Sequence, residues 1–205
     1  KDTLHDLPED SPKEKLFEAF KPKEGEVIID GGAFLGFGDM HLSPLIGDSG
    51  RIYAVEADPH CHELLNRNLS HNNITNVTTL WNAFMDKPDE TVHLKLGFAQ
   101  GNTLFDHLKK SEETTAVKTI SIDAIADRHN LTRLDMVSLT LNGAEPDTLD
   151  GAKETLSQFK PRIRLAGWFT RDGEKIWKLT KSRLEALGYD VYVGPRGSVQ
   201  ALAKS

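Results

Sequence analysis

The sequence predicts an α/β protein built on an open, mostly parallel β-sheet. Short β-branched or apolar runs alternate with amphipathic segments along most of the 205 residues, which is the pattern of β-α units. The first run ends in a carboxylate and a cluster of glycines, which indicates a strand, a tight turn and a helix. The chain then closes with two short runs joined by Gly194-Pro-Arg-Gly197, which predicts a terminal β-hairpin.

Two regions are expected along the chain. Residues 1–24 are predicted to form a tail and a lead-in helix, because Ser11-Pro-Lys-Glu14 has the spacing of a capping box with proline at the first helical position. Residues 25–205 are predicted to form one cofactor-binding domain. An inserted β-arm or loop is expected at about 90–122, where two runs alternate polar and apolar residues as paired strands do.

The parallel sheet is predicted from five apolar runs, at 27–29, 51–56, 77–81, 136–141 and 161–168. Between the later strands, a single helix is predicted over 147–159, with apolar residues at helical spacing. A further helix is expected to begin at Asp172-Gly173 and to end before Gly188. The order is therefore five β-α units followed by the hairpin.

The turn after the first strand is the main candidate for a ligand site. Asp30 ends the strand, and Gly31 and Gly32 permit positive φ and let the backbone approach a ligand closely. Gly36 is expected to let the start of the helix pack tightly on the strand. The alternative is a glycine-rich turn without a ligand, since the spacing is not a full G-x-G-x-x-G.

Polar residues at the ends of the next two strands support a nucleotide-like cofactor. Glu56 follows Asp30 by 26 positions, about the spacing at which an acidic residue meets a cofactor ribose. An ionised carboxylate accepts both hydrogen bonds of a ribose diol. Asn82 and Ala83 follow the third strand and are expected to lie beside the adenine. A surface glutamate at a strand end is the plainer alternative for Glu56.

Charge and cysteine content exclude several classes of site. The net charge of −6 argues against general nucleic-acid binding and favours a small-molecule partner. The single cysteine, Cys61, excludes an internal disulfide and a zinc ribbon. His60, Cys61 and His62 are adjacent helix positions that cannot converge on one ion, so no metal is predicted. No run of 18 apolar residues occurs, and a cytoplasmic location is expected.

Several motifs, in order, resemble those of FkbM-type methyltransferases, a branch of the class I fold that uses S-adenosylmethionine (SAM). The resemblance extends roughly from residue 20 to 170, and the closing antiparallel strand also favours that fold. The matching segments are Asp30-Gly-Gly-Ala-Phe-Leu-Gly36 for D-x-G-A-x-x-G, Tyr53-Ala-Val-Glu-Ala-Asp-Pro59 for Y-A-F-E-P-x-P, Asn82-Ala83 for N-A, Thr119-Ile-Ser-Ile-Asp123 for the segment ending T-L-D, and Asn142-Gly-Ala-Glu145 for the end of I-D-V-E-G-A-E.

The resemblance implies a Rossmann-like three-layer sandwich with a seven-stranded, mostly parallel sheet of order 3-2-1-4-5-7-6, the last strand antiparallel. It implies SAM as cofactor, and methyl transfer to a hydroxyl oxygen of a small molecule or saccharide. Carried over by position, the residues expected at the cofactor are Asp30, Gly31, Gly32, Ala33, Phe34, Gly36, Glu56, Ala57, Asn82 and Ala83.

The chain departs from the family where catalysis is expected. Thr140 and Asn142 stand where the family has Asp and Glu, and only Glu145 keeps its carboxylate. Asn142 and Glu145 are the catalytic candidates, but their spacing also fits a helix cap and a first-turn acid. The departure leaves open a non-catalytic SAM-binding or partner-binding module. A nicotinamide oxidoreductase is a third, weaker hypothesis, and the segment 97–116 is expected to help form the acceptor site.

Overall fold

The computed structural model describes residues 12–96, 103, 104 and 114–204, with side chains from residue 16 onward. Its strands, in chain order, are β1 (Val27–Gly31), β2 (Arg51–Glu56), β3 (Val77–Trp81), β4 (Ala83–Phe84), β5 (Thr91–Lys95), β6 (Thr114–Ile120), β7 (Met136–Leu139), β8 (Arg162–Leu165), β9 (Thr170–Arg171), β10 (Glu174–Lys175), β11 (Tyr189–Val193) and β12 (Val199–Ala203). Its helices are α1 (Pro12–Ala19), α2 (Phe37–Ile46), α3 (Pro59–His71), α4 (Ile122–Arg128), α5 (Glu145–Asp150), α6 (Lys153–Phe159) and α7 (Ile176–Ala186).

The central sheet has seven strands in the order β3-β2-β1-β7-β8-β12-β11. All neighbouring pairs are parallel except those of β12, which runs antiparallel to both β8 and β11. Counting only the strands of this sheet, the order is 3-2-1-4-5-7-6. The predicted α/β architecture, strand order and closing hairpin are therefore confirmed.

Helices cover both faces of this sheet, which makes three layers. Successive strand residues point to opposite faces, so Ile28 and Ile29 of β1 belong to different apolar clusters. Ile28 packs with residues of α2 and α3, such as Leu42 and Leu65. Ile29 packs with residues of α4 to α7, such as Leu149. This burial on both faces explains the near-continuous apolar runs of the parallel strands.

The single helix predicted over 147–159 is wrong, because the chain forms α5 and α6 with a break at Gly151. A Cβ atom at Gly151 would lie 2.8 Å from the Cα of Asp86, so a crossing loop approaches the backbone closely at this point. The second helix receives its cap from α4: the backbone N–H of Thr155 donates to the Asp123 carboxylate at 2.8 Å. Neither contact between distant segments is visible in local helical periodicity.

The helix predicted to begin at Asp172-Gly173 begins later, at Ile176. Asp172 and Gly173 instead form the turn of the two-stranded hairpin of β9 and β10. Their φ angles are 51° and 83°. Two consecutive positive φ angles are typical of a type I′ hairpin turn, for which Asp-Gly is a preferred sequence.

A smaller sheet is inserted after β3. In it β5 pairs antiparallel with β6, with Thr91 opposite Lys118, and β4 pairs parallel with β6. Thr103 forms an isolated bridge to Lys95, which extends this sheet toward the end of β7. The predicted cap residue Ser11 lies outside the described residues. In the described parts of the chain, no helix has the length and apolar character needed to cross a bilayer.

Candidate functional site

The carboxyl ends of five parallel strands border a cavity of about 440 Å³, which lies within the usual size range of ligand pockets. We divide its lining into two sets. The β2 side consists of Gly32, Phe34, Val55, Glu56, Ala57, Cys61, Asn82, Ala83 and Phe84. The β8 side consists of Leu94, Thr103, Leu104, Thr140, Leu141, Asn142, Ala144, Trp168 and Phe169.

The loop after β1 passes between the two sides. Gly32 has φ of +77°, and a Cβ atom there would collide with the carbonyl oxygen of Thr140. Only glycine allows this approach without displacing the backbone. Gly31 does not adopt the positive φ that glycine permits, because it is the last extended residue of β1. It is nonetheless enclosed, since a Cβ atom would lie 2.8 Å from the ring of Phe84.

Glu56 is the acidic side chain on the β2 side, and it is 9% exposed. Its Oε2 accepts the backbone N–H of Phe34 at 2.8 Å, and its Oε1 accepts that of Asp58 at 2.8 Å. Burial raises the pKa of Glu56, and these two hydrogen bonds oppose the rise. Each carboxylate oxygen has two lone pairs, so Glu56 keeps acceptor capacity for a ligand while it fixes the loop after β1.

Gly36 and α2 lie behind this loop. Gly36 precedes α2 with φ of +79°, and a Cβ atom there would meet Leu65 of α3 at 2.5 Å. The close packing expected at Gly36 therefore exists, but its partner is α3 and not the strand. Asp30, Gly31, Ala33 and Gly36 do not line the cavity, so these expected cofactor residues support the loop from behind.

A pair of carboxyl groups lies beneath the same loop. Asp39, in the first turn of α2, is fully buried, and within the described residues neither of its oxygens has a hydrogen-bond partner. Burial, together with the nearby Asp30 carboxyl, raises the pKa of Asp39 to about 8, against the charge of Arg164. Burial also raises the pKa of Asp30, against a hydrogen bond with Ser138 and the charge of Arg164. Sequence reasoning missed Asp39, whose only signal was an acid in a first helical turn.

The rest of the β2 side is apolar or neutral. The side-chain amide of Asn82 donates to the carbonyl of Lys118 at 3.0 Å, which fixes the end of β3 against the inserted sheet. The buried Cys61 thiol also lines the cavity. Burial, followed by the charges of Asp58 and Glu56, raises its pKa to about 12, so the thiol is protonated at neutral pH. In the described part of the chain, no cluster of His, Cys, Asp or Glu is arranged to hold a metal.

The catalytic candidates follow β7, and the structure separates them. Asn142 lines the cavity and has φ of 54°, a conformation that asparagine tolerates better than most residues. Glu145 is fully buried and does not line the cavity. Its Oε1 accepts the N–H of Leu141 at 2.8 Å, and its Oε2 accepts that of Gly143 at 2.9 Å. Burial raises the pKa of Glu145 to about 7.

Two further contacts hold the loop on which Asn142 lies. The hydroxyl of Thr103 donates to the carbonyl of Asn142 at 3.0 Å, and Thr103 itself is buried. Arg171 forms an ion pair with Asp147 and donates to the carbonyl of Gly143 at 3.2 Å. Sequence reasoning found neither contact, because each joins segments far apart in the chain.

Trp168 and Phe169 complete the β8 side, and sequence reasoning missed them as well. The fifth strand was predicted to continue to residue 168, but β8 ends at Leu165. The chain then leaves the sheet and places both aromatic side chains at the cavity. A signal was present, because residues that follow parallel strands gather at one edge of the sheet.

Comparisons with known proteins agree with this geometry. A family model described as "Methyltransferase FkbM domain" matches residues 30–191, which is most of the chain. Among solved structures, the methyltransferase FkbM from Methylobacillus flagellatus KT has a TM-score of 0.61 at 15% identity. That alignment covers 86% of this chain and 43% of the relative, so the chain spans less than half of that protein's length.

Two other neighbours have the same fold at similarly low identity. Precorrin-6y C5,15-methyltransferase from Geobacter metallireducens GS-15 has a TM-score of 0.54 at 17% identity, over 99% of this chain and 94% of its own. Aeropyrum pernix fibrillarin, solved with natively bound SAM, has a TM-score of 0.51 at 17% identity, over 89% and 67% of the two chains. No curated protein sequence matches the chain.

Proposed function

We propose that this chain transfers the methyl group of SAM to a hydroxyl oxygen of a small molecule or saccharide. The chain belongs to the FkbM methyltransferase family, whose cofactor is SAM. The observation that carries the proposal is the position of Glu56. Its buried carboxylate borders the cavity at the end of β2, next to the apolar wall that ends β3.

The residues of the β2 side fit SAM. Glu56 retains lone pairs for the two ribose hydroxyls after binding two backbone N–H groups. Ala57, Cys61 and Ala83 offer an apolar slot for the adenine, and Asn82 lies at its edge. Asp30, Gly31, Gly32, Ala33, Phe34 and Gly36 are proposed to shape the loop that holds the methionyl part.

The chemistry itself is divided between cofactor and chain. When bound, SAM supplies a sulfonium methyl group: the acceptor oxygen takes the methyl, the electron pair of the broken carbon–sulfur bond stays on sulfur, and the hydroxyl proton is released. The chain has to hold the acceptor hydroxyl in line with that methyl group, and such positioning supplies much of the acceleration. We assign this task to the loop after β7, where Asn142 borders the cavity and its side-chain amide has groups that can bind a hydroxyl.

Glu145 is proposed to act by positioning rather than as the base. It is enclosed, and both of its oxygens accept backbone N–H groups on either side of Asn142. A carboxylate in this position fixes the loop but does not reach an acceptor in the cavity. Within the described lining, the ionisable side chains are Glu56 and Cys61, both on the β2 side. We therefore expect the released proton to pass to water.

A second candidate function rests on the other side of the cavity. A described β8 side without an acidic group, with Thr140 and Asn142 in place of two family acids, also suits a module that binds SAM without turning it over. The two candidates differ in product formation and not in cofactor affinity.

The test is a pair of measurements on the same protein. Calorimetric titration with S-adenosylhomocysteine should give micromolar binding, and an equal titration with NAD should give none. Mass spectrometry should then detect S-adenosylhomocysteine and a methylated product when the protein is incubated with SAM and a panel of neutral hydroxyl compounds. Tight binding with no product from any acceptor would favour the non-catalytic module. NAD binding without a response to S-adenosylhomocysteine would overturn both candidates.

A further inference from the structure

Trp168 and Phe169 form an aromatic corner at the far end of the cavity. Their ring centroids lie 5.9 Å apart and their planes are inclined by 43°, so the rings present two differently oriented faces. Trp168 is 44% exposed although it borders the cavity. An exposed tryptophan on a cavity wall offers a large apolar face at small cost in side-chain entropy.

The backbone beneath this corner is fixed at three consecutive carbonyl groups. The carbonyl of Gly167 accepts the N–H of Trp177 at 3.1 Å, and that of Phe169 accepts the N–H of Ile176 at 3.0 Å. Between them, the carbonyl of Trp168 accepts the ammonium group of Lys175 at 3.1 Å. Trp168 is therefore exposed on a backbone segment that residues at the start of α7 hold in place.

Glu56 and the corner follow strands that are three positions apart in the sheet. From β2 to β8 the sheet crosses β1 and β7, and three strand spacings amount to about 14 Å. One cavity joins Glu56, the loop after β7, and Trp168 and Phe169, so a cofactor at Glu56 that extends toward β7 would leave the corner to the acceptor.

The described residues around the corner favour an uncharged acceptor. The described side chains of the β8 side are all neutral. The guanidinium of Arg171 lies close by, but it forms an ion pair with Asp147 and donates to the carbonyl of Gly143. Burying an anionic group against such a wall without a paired cation is costly.

We propose that Trp168 and Phe169 determine acceptor specificity, and that the acceptor is an uncharged hydroxyl compound with a flat, apolar ring face. The ring is either an aromatic ring or the apolar face of a neutral sugar, since both stack on tryptophan. The proposal rests on the methyltransferase function proposed above. It adds the chemical class of the acceptor and the residues that select it.

The test uses three probes with the protein saturated by S-adenosylhomocysteine, and binding is followed by titration or saturation-transfer NMR. Phenyl β-D-glucoside carries both an aryl ring and a neutral sugar. Methyl β-D-glucoside lacks the aryl ring, and phenyl β-D-glucuronide adds a carboxylate. We expect phenyl glucoside to bind at least tenfold more tightly than phenyl glucuronide. Methyl glucoside binding as well as phenyl glucoside would identify the sugar face as the recognised ring, and weaker binding would identify the aryl ring.

Variants of the corner separate recognition from folding. Trp168→Ala should weaken phenyl glucoside at least fivefold, whereas Trp168→Phe should stay within about twofold, and both should keep the affinity for S-adenosylhomocysteine. Tyr192→Ala removes a similarly exposed aromatic ring from β11, the edge strand beyond β12, where Tyr192 does not line the cavity, and it should change neither affinity.

Three results would overturn the proposal with cofactor binding intact: equal affinity for the charged probe, unchanged probe affinity in Trp168→Ala, or no binding of any probe. If the protein does not bind S-adenosylhomocysteine, the proposed function is refuted, and the proposed acceptor class is refuted as well.

Discussion

The two sides of the cavity are built from the same kind of strand end but differ in what they carry. The β2 side has an acidic group, Glu56, fixed by backbone N–H donors, and the buried Asp39 lies in the helix that follows the loop after β1. The β8 side has neutral and aromatic side chains, and its loop is fixed by a carboxylate that never reaches the cavity. A polar ligand with a ribose suits the first side, and a neutral ring suits the second.

The two sides also differ in how the residues that fix a loop relate to those that border the cavity. On the β2 side, Glu56 fixes the loop after β1, and we propose that its remaining lone pairs also bind the ligand. On the β8 side these two tasks are separated: Glu145 fixes the loop, while Asn142 and Trp168 border the cavity. Because Glu145 fixes the loop, Thr140 and Asn142 can stand where the family pattern has acids without loss of the loop's structure.

The largest effect is expected where the two sides meet, at Gly32. Gly32→Ala should lower the free energy of unfolding by about 3 kcal/mol or more beyond the cost of Gly173→Ala. Both glycines have φ near +80°, but a Cβ atom at Gly32 collides with the Thr140 carbonyl, whereas Gly173 has open space around it. Urea unfolding of the two variants measures the difference. Equal losses would mean that the close approach between the loops after β1 and β7 contributes nothing.

Glu56→Ala tests the β2 side directly. We expect it to weaken S-adenosylhomocysteine binding by about 1.5–3 kcal/mol, because a charge-assisted pair with the ribose is lost. Glu63→Ala removes an exposed carboxylate from α3 and is the matched control, with unchanged affinity. Calorimetry gives both values. An affinity in Glu56→Ala equal to that of the control would place the ribose elsewhere.

The buried acid beneath the β2 side should make stability depend on pH. The pKa of Asp39 is about 8 in the folded protein, above its unfolded value, so the folded state binds more protons between about pH 4 and pH 8. The stability that the protonated Asp39 contributes is complete below about pH 4, and it is lost as the pH rises through about 8. Asp39→Asn should be more stable than the wild type by about 2 kcal/mol at pH 8, and the gain should shrink toward pH 5.

Denaturant midpoints of the two proteins at pH 5, 6.5 and 8 measure this trend. A gain that grows as the pH falls would contradict a protonated Asp39. Asp48→Asn, an exposed acid after α2, is the control and should follow the wild type at every pH.

The smallest effect is expected on the β8 side. Asn142→Gly keeps the positive φ without strain and removes the side chain from the cavity, so S-adenosylhomocysteine affinity should change by less than about 0.4 kcal/mol. Turnover with any accepted hydroxyl compound should fall tenfold or more, because the group that orients the acceptor is gone. A large loss of cofactor affinity in this variant would contradict the assignment of cofactor and acceptor to separate sides of the cavity.

Apolar runs are local signals, and they were sufficient to predict the parallel strands and the position of Glu56 at the end of β2, whereas the strand order came from the resemblance of the motifs to a family. Local signals were not sufficient where a residue depends on a distant partner. Gly151 breaks a helix because the loop at Asp86 crosses it, and Trp168 reaches the cavity because β8 ends three residues earlier than its apolar run. Nor did any local pattern connect Thr103 to the loop after β7.

A crystal structure of the protein with bound S-adenosylhomocysteine tests the division of the cavity most directly. We expect the ribose hydroxyls within hydrogen-bonding distance of the Glu56 carboxylate, the adenine between Ala57 and Ala83, and the sulfur directed toward Asn142, with space between it and Trp168. A cofactor whose ribose lies against the β8 side, or whose sulfur points away from Trp168, would contradict both the assignment of the cofactor site and the acceptor class drawn from it.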